Sequence, residues 1–115
     1  MAIQRFNTNA RMSQMVIHNQ VVYLAGQVAD DTTLSPAEQT RQILAKIDRL
    51  LAEAGCTKQA ILTATIWLAN HQDFAAMNEV WDTWVPEGHA PARACVESAL
   101  AFPQYTVEIG VIAGL

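Results

Sequence analysis

Pro91-Ala92-Arg93-Ala94-Cys95-Val96-Glu97-Ser98, followed by Tyr105-Thr106-Val107-Glu108-Ile109, is the stretch on which both the fold and the chemistry turn. Both halves alternate in the manner of β-strands, with successive side chains on opposite faces. Arg93 is the only Lys or Arg after Lys58, and its neighbours are mostly apolar. A guanidinium left unpaired in such surroundings costs several kcal/mol, so Arg93 needs an anion. The candidates are a carboxylate of the protein, Glu97 or Glu108, or the carboxylate of a ligand. The first makes Arg93 an ordinary ion-pair residue; the second makes it part of a binding site.

Working outward, 92–99 and 104–113 are expected to be the last two strands, joined around Phe102-Pro103. Before them Pro86-Glu87-Gly88-His89-Ala90-Pro91 is a break. A helix starting at Gln72 or Asp73 precedes the break. In it Phe74, Met77, Trp81 and Trp84 recur at helical spacing and read as one core face, with Asn78 flanking it. Ile61 to Leu68 is β-branched and nearly continuous in apolarity, which suits a central strand buried on both faces. The strongest signal is Ser35-Pro36-Ala37-Glu38, a capping box with Pro at the first helical position. Behind it Ile43, Leu44, Ile47, Leu50, Leu51 and Ala54 repeat with helical period until Gly55, so a helix is expected over 36–54. Residues 2–6 alternate as a first strand. Met15–His18 and Val21–Ala25 read as a hairpin turning at Asn19-Gln20, and Gly26 allows close approach at its end. The expected fold is α+β: a mixed sheet with two helices packed on one face, in one domain spanning 1–115.

Alternation carries a further expectation. Arg93, Cys95 and Glu97 share one face of their strand. If Val107, Ile109 and Val111 pack under the helices, Arg93, Cys95 and Glu108 all point to the helix-free side. There Arg93 and Glu108 form either a substrate grip with a general acid/base or a plain ion pair between strands or subunits. Cys95 has no His close on its face to activate it, so it reads as a small apolar residue lining a pocket. His18, His71 and His89 have no metal-ligand spacing, and no metal site is expected.

Composition narrows the function classes. The chain has 115 residues, 51% of them hydrophobic, with 11 acidic against 7 basic side chains and a net charge of -4. With a pI near 5.1 and its Lys and Arg scattered, it lacks the clustered cations of a nucleic-acid surface. No run reaches the about 18 apolar residues of a membrane span, and no signal pattern opens the sequence. Cys56 and Cys95 read as free thiols. A soluble, cytoplasmic protein with some apolar surface buried between subunits is expected.

Laid out together, these residues resemble the RidA (YjgF) family of small enamine/imine deaminases. Pro91-Ala92-Arg93-Ala94-Cys95-Val96-Glu97 and Val107-Glu108-Ile109 match its closing signature. Ala25-Gly26-Gln27 is similar to its Ser-Gly-Gln after the second strand, and Asp73-Phe74-Ala75-Ala76-Met77-Asn78 to its Asp-Phe-x-x-x-Asn helix start. Ala10-Arg11-Met12-Ser13 and the Trp-containing second helix look closer to a YoaB-like branch. The resemblance implies a chorismate-mutase-like fold, a homotrimer, and three clefts between subunits that hydrolyse 2-imino or 2-enamino acids without a cofactor. It implies that Arg93 binds the substrate carboxylate and that Glu108 positions or activates water. Cys95 and Gly26 would line the cleft, with Asn78 near it. Two positions depart from the pattern: Met12 stands where active relatives carry Tyr, and Ala25 where they carry Ser. The other readings are a binding protein for small carboxylates and, disfavoured by the acidic charge and the absence of a stacking platform, a ribonuclease or translation inhibitor.

Overall fold

The computed structural model describes residues 2–115. Six strands form one sheet: β1 (Gln4–Thr8), β2 (Ser13–His18), β3 (Val21–Leu24), β4 (Ile61–Leu68), β5 (Ala92–Glu97) and β6 (Val107–Gly114). Their order across the sheet is β1-β2-β3-β6-β4-β5. All neighbours are antiparallel except β4 and β5, which run parallel because α2 (Phe74–Trp84) carries the chain back between them. The sheet is therefore mixed, and α2 lies beside α1 (Pro36–Ala54).

The ends of α1 explain why it forms where it does. Ser35 Oγ accepts from the Glu38 backbone N–H at 3.3 Å, and Pro36 opens the first turn. The second half of the expected capping box is missing, because the Glu38 carboxylate pairs with Arg41 one turn on. At the other end Gly55 adopts φ 90°, and the N–H groups of Gly55 and Cys56 close on Ala52 and Leu51 carbonyls. Between them Ile43, Leu44, Ile47 and Leu51 are buried in the core, each contributing roughly 1.5–3 kcal/mol of transfer free energy. The β2–β3 hairpin turns at Asn19 and Gln20, with φ of 51° and 63°, a pair of left-handed angles that matches the twist of the strands.

The core is one layer between sheet and helices. Met15 and Ile17 of β2, Val22 and Leu24 of β3, Ala64, Ile66 and Leu68 of β4, and Val107, Ile109 and Val111 of β6 are all buried on it. β4 is an inner strand, but it is buried on one face only. Thr63, Thr65 and Trp67 are half-buried on the other face, where no helix lies, and a register shift leaves Leu62 55% exposed. The helix-free face is apolar nonetheless: Tyr23 and Val96 are exposed on it, and Trp67 and Ile112 half-exposed. The terminal strands are shorter than expected, and 98–106 forms a loop. That loop is held by Gln39, a fully buried residue of α1, whose side chain donates to the Leu34 and Gln104 carbonyls and accepts from the Thr106 N–H at 3.1 Å. With the Thr32 carbonyl, which it also reaches, one helix position thereby engages three carbonyls and an amide of the surrounding loops.

Candidate active site

Arg93 does not face the side expected of it. In the β4–β5 ladder Ala64 lies opposite Arg93 and Ile66 opposite Cys95, and both β4 residues belong to the core face. Arg93, Cys95 and Glu97 are therefore on the helix side of the sheet. Glu108 lies opposite Trp67 on the helix-free side. The two functional candidates are on opposite faces, and no ion pair joins them within the chain. Alternation within each strand is as the sequence indicates; the relative phase of β5 and β6 is not. β5 is an edge strand exposed on both faces, so burial does not force Ala94 and Val96 inward. The aromatic surface of α2 receives the guanidinium instead.

That surface is specific. Arg93 Nη1 donates to Asn78 Oδ1 at 2.7 Å. The guanidinium carbon stands 5.3 Å from the ring centroid of Trp81 and 5.8 Å from that of Phe74. Stacking of this kind is worth about 0.5–1 kcal/mol at an exposed site, and it fixes the plane of the fork as well. Phe74, Asn78 and Trp81 fall at i, i+4 and i+7 on α2, one stripe of the helix. The expected core face is accordingly divided: Met77 and Trp81 are buried, whereas Phe74 is 42% exposed and serves as platform. Among the described residues no carboxylate pairs with Arg93, because Glu97 accepts from the His71 backbone at 2.8 Å and meets its ring nitrogen at 3.1 Å. That hydrogen bonding holds Glu97 below the usual carboxylate range. The remaining N–H groups of Arg93 are presented at the sheet edge.

Glu108 is built into a different corner. The loop after β3 is clamped to β6 by a reciprocal pair, Gln27 N to Ile109 O at 2.8 Å and Ile109 N to Gln27 O at 3.1 Å. Gln27 is almost fully buried, with its amide donating to Gln14 Oε1 and the Ala25 carbonyl. This clamp lays Gly26 against the Glu108 carboxylate so closely that a Cβ on Gly26 would overlap Glu108 Oε2. Burial, the one cause acting on it, pushes the Glu108 pKa above the ordinary glutamate range. A carboxylate raised in this way is a better base toward a water proton at neutral pH.

The other candidates fall around these two. Cys95 is half-buried against the core beside Arg93; burial raises its thiol pKa and the Arg93 charge offsets part of that. Such a thiol is a poor nucleophile. Met12 is 41% exposed in the β1–β2 turn, where Asn9 Oδ1 accepts from the Arg11 and Met12 backbones. Ala25 offers only a methyl group beside Gly26. Phe74, Trp81 and Gln27 are the residues that sequence reasoning assigned elsewhere or passed over; the Asn78 spacing on α2 was the available signal for the first two. Among the described residues no cluster of His, Cys, Asp or Glu suits a metal ion, and no helix is long and apolar enough to cross a membrane.

Comparison with known proteins bears on the same residues. The family model described as Endoribonuclease L-PSP matches residues 2–115. The RutC family protein YoaB of Escherichia coli K12 is 46% identical over 115 residues, covering 100% of both chains. A RutC family protein of Haemophilus influenzae is 48% identical over 114 residues, 98% of each chain. A rat protein named 2-iminobutanoate/2-iminopropanoate deaminase is 33% identical over 107 residues, 88% of this chain and 77% of its own. Among solved structures, a YjgF family member from Neisseria meningitidis superposes with a TM-score of 0.96 at 46% identity, covering 99% of this chain and 95% of that one. With the fold, the Arg93 strand and the Gly26–Glu108 corner all present, the chain belongs to the YjgF/RidA family.

Proposed function

We propose that the protein is a cofactor-independent hydrolytic deaminase of reactive 2-imino and 2-enamino acids, working in clefts between the subunits of a homotrimer. The observation that carries this reading is Arg93, held by Asn78 and two aromatic rings with no carboxylate paired to it among the described residues. A fixed, unpaired fork of N–H donors is suited to the carboxylate of a small ligand. Glu108 supplies the second half, and the rat relative's name supplies the class of reaction. Because Arg93 and Glu108 occupy opposite faces of one sheet, a small substrate meeting both sits between two copies, with Arg93 from one and Glu108 from the next. The uncovered apolar residues Tyr23 and Val96 are consistent with such packing.

The chemistry asks little beyond placement. A protonated 2-imino acid is already electrophilic at C2, so orientation and charge complementarity supply the catalysis. Arg93 fixes the carboxylate. Glu108 takes a proton from water as the oxygen bonds to C2 and the C=N electrons move to nitrogen, giving a carbinolamine. The proton then passes from Glu108 to the amine, the C–N bond breaks as the C–O bond becomes the carbonyl of the 2-oxo acid, and the hydroxyl proton goes to the departing ammonia, which is released as ammonium. Enamines enter the same route after tautomerising to the imine.

Imines generated in situ by an amino-acid oxidase test the proposal through the rate of oxo-acid release. The wild type is expected to exceed the free hydrolysis rate, and Arg93→Ala to fall back to it. No acceleration across several imino acids would overturn the enzyme reading. A second reading, binding of 2-oxo acids without turnover, draws on Ala25, which offers no hydroxyl beside Gly26, and on Met12, which offers none in the β1–β2 turn. It predicts Arg93-dependent binding of pyruvate or 2-oxobutyrate in the absence of any rate.

A further inference from the structure

Gly110 is a glycine that its own backbone does not require. It lies inside β6, opposite Thr65, and its φ is outside the left-handed region. A Cβ there would sit in ordinary contact with the Trp67 ring, 3.4 Å from Cζ3, and 3.8 Å from the Gly26 Cα. Glycine within a strand is unfavourable relative to residues with side chains, since it loses more chain entropy and packs nothing. What the missing side chain leaves is space. A cavity of about 190 Å³ opens on the helix-free face, lined by Gly26, Thr63, Thr65, Trp67, Gly110 and Ile112.

The place of this cavity is the second observation. Trp67 is the direct cross-strand partner of Glu108, and Gly26 is the residue the Glu108 carboxylate lies against. Gly26 and Trp67, the neighbours of Glu108, thus line the cavity, although Glu108 itself does not. Its walls are otherwise apolar, with Trp67, Ile112, Leu24 and Val111, apart from Thr63 and Thr65. At about 190 Å³ it exceeds several times the roughly 30 Å³ that one water occupies, and so exceeds what a methyl or ethyl group fills.

We infer that this cavity is the subsite for the substrate's side chain, walled by Trp67 and opened by Gly110, and that it selects 2-imino acids with branched or aromatic side chains over those ending in methyl. The assignment rests on the proposed deaminase reading. With the carboxylate on Arg93 and C2 beside Glu108, the substituent on C2 extends along the sheet to Gly110. An apolar pocket discriminates by roughly 10–200-fold per methylene, which sets the expected contrast.

The experiment compares kcat/KM for the imines formed from leucine and from alanine. In the wild type the leucine-derived imine is expected to lead by at least about tenfold. Gly110→Val fills the cavity, and the leucine-to-alanine ratio is expected to drop about tenfold or more. Gly110→Ala, whose added atom meets only ordinary contacts, should lower the ratio by a smaller factor and serves if the valine variant does not fold. Trp67→Phe widens the wall and should raise the ratio for the phenylalanine-derived imine over the leucine-derived one. A ratio unmoved by both Gly110 variants would overturn the assignment. Calorimetric titration with 4-methyl-2-oxopentanoate and with pyruvate reads the same preference without turnover. If no imine is hydrolysed but the larger oxo acid binds preferentially and Gly110→Val abolishes the preference, the hydrolysis reading fails and the subsite stands. Equal binding of both oxo acids by the wild type defeats the subsite whatever the rates are.

Discussion

Replacing Gly26 with alanine should separate catalysis from stability. The added Cβ would overlap Glu108 Oε2 and lie 2.9 Å from Cδ and 3.2 Å from Cγ. The three nearest atoms all belong to Glu108, and Gly26 does not hold a positive φ, so the closest conflict is with one side chain. Glu108 can relieve it by turning away. The cost of an off-rotamer side chain is about 0.5–1.5 kcal/mol, partly offset by the about 0.4–1 kcal/mol that Gly→Ala gains through the unfolded chain. Net destabilisation should thus stay below about 1 kcal/mol. Turning away nonetheless moves the carboxylate by about 1 Å, and a displacement of that size can cost about 100-fold in rate. Denaturant unfolding and imine hydrolysis would be measured on Gly26→Ala, Glu108→Ala and the double variant. In the Glu108→Ala background the overlap is gone, and Gly26→Ala should there be neutral or stabilising. Full kcat in Gly26→Ala, or a loss of several kcal/mol that persists when Glu108 is removed, would refute the reasoning.

Four further outcomes are expected. Asn78→Ala removes the acceptor that orients Arg93 while leaving both rings in place. It should raise KM several-fold with a stability loss of about 1 kcal/mol, seen in steady-state kinetics beside thermal melts. Glu108→Gln keeps the shape but cannot take a proton, so it should bind 2-oxo acids and hydrolyse imines poorly. Because burial raises the Glu108 pKa, the folded state holds that proton more tightly than the unfolded chain. Ionising it therefore lowers stability as pH climbs from the ordinary glutamate range through the raised pKa. Over the same window the rate should rise, and both trends should vanish in Glu108→Gln. Finally, burial raises both Cys56 and Cys95 thiol pKa values, so alkylation near neutral pH should be slower than for a free thiol. Rapid labelling of Cys95 would contradict its placement as a lining residue.

Most of the fold was legible because local signals and burial agreed. Ser35-Pro36 and Gly55 bracket α1 at the expected residues, and the run Ile61–Leu68 is β4 as anticipated. The strand ends at 97 and 107 were harder, since the loop between them is fixed by Gln39, which lies more than sixty residues earlier in the chain. Candidate residues could be picked out in the sequence; their arrangement could not. Arg93, Asn78, Gly26 and Glu108 all stood out by type and neighbourhood. Which face each occupies depends on the pairing of β5 with β4 and of β6 with β4, a long-range register that alternation within one strand cannot supply. An edge strand exposed on both faces removes the burial rule that would have set the phase. Trp81 is core as its helical period indicates, and its ring also meets the guanidinium; Phe74 follows the same period yet is exposed, because period alone does not tell apolar side chains from a guanidinium.

Separation of Arg93 and Glu108 onto opposite faces makes a demanding prediction about the proposed assembly. Arg93→Ala and Glu108→Gln chains, each inactive alone, would be unfolded together, refolded as mixed trimers and assayed for imine hydrolysis. Where a Glu108→Gln chain lends its Arg93 to the Glu108 of an Arg93→Ala neighbour, the cleft is whole. Random association at equal amounts leaves about a quarter of the clefts intact, so about a quarter of wild-type activity should return. Activity no greater than that of the two parents unmixed would contradict a site shared between copies.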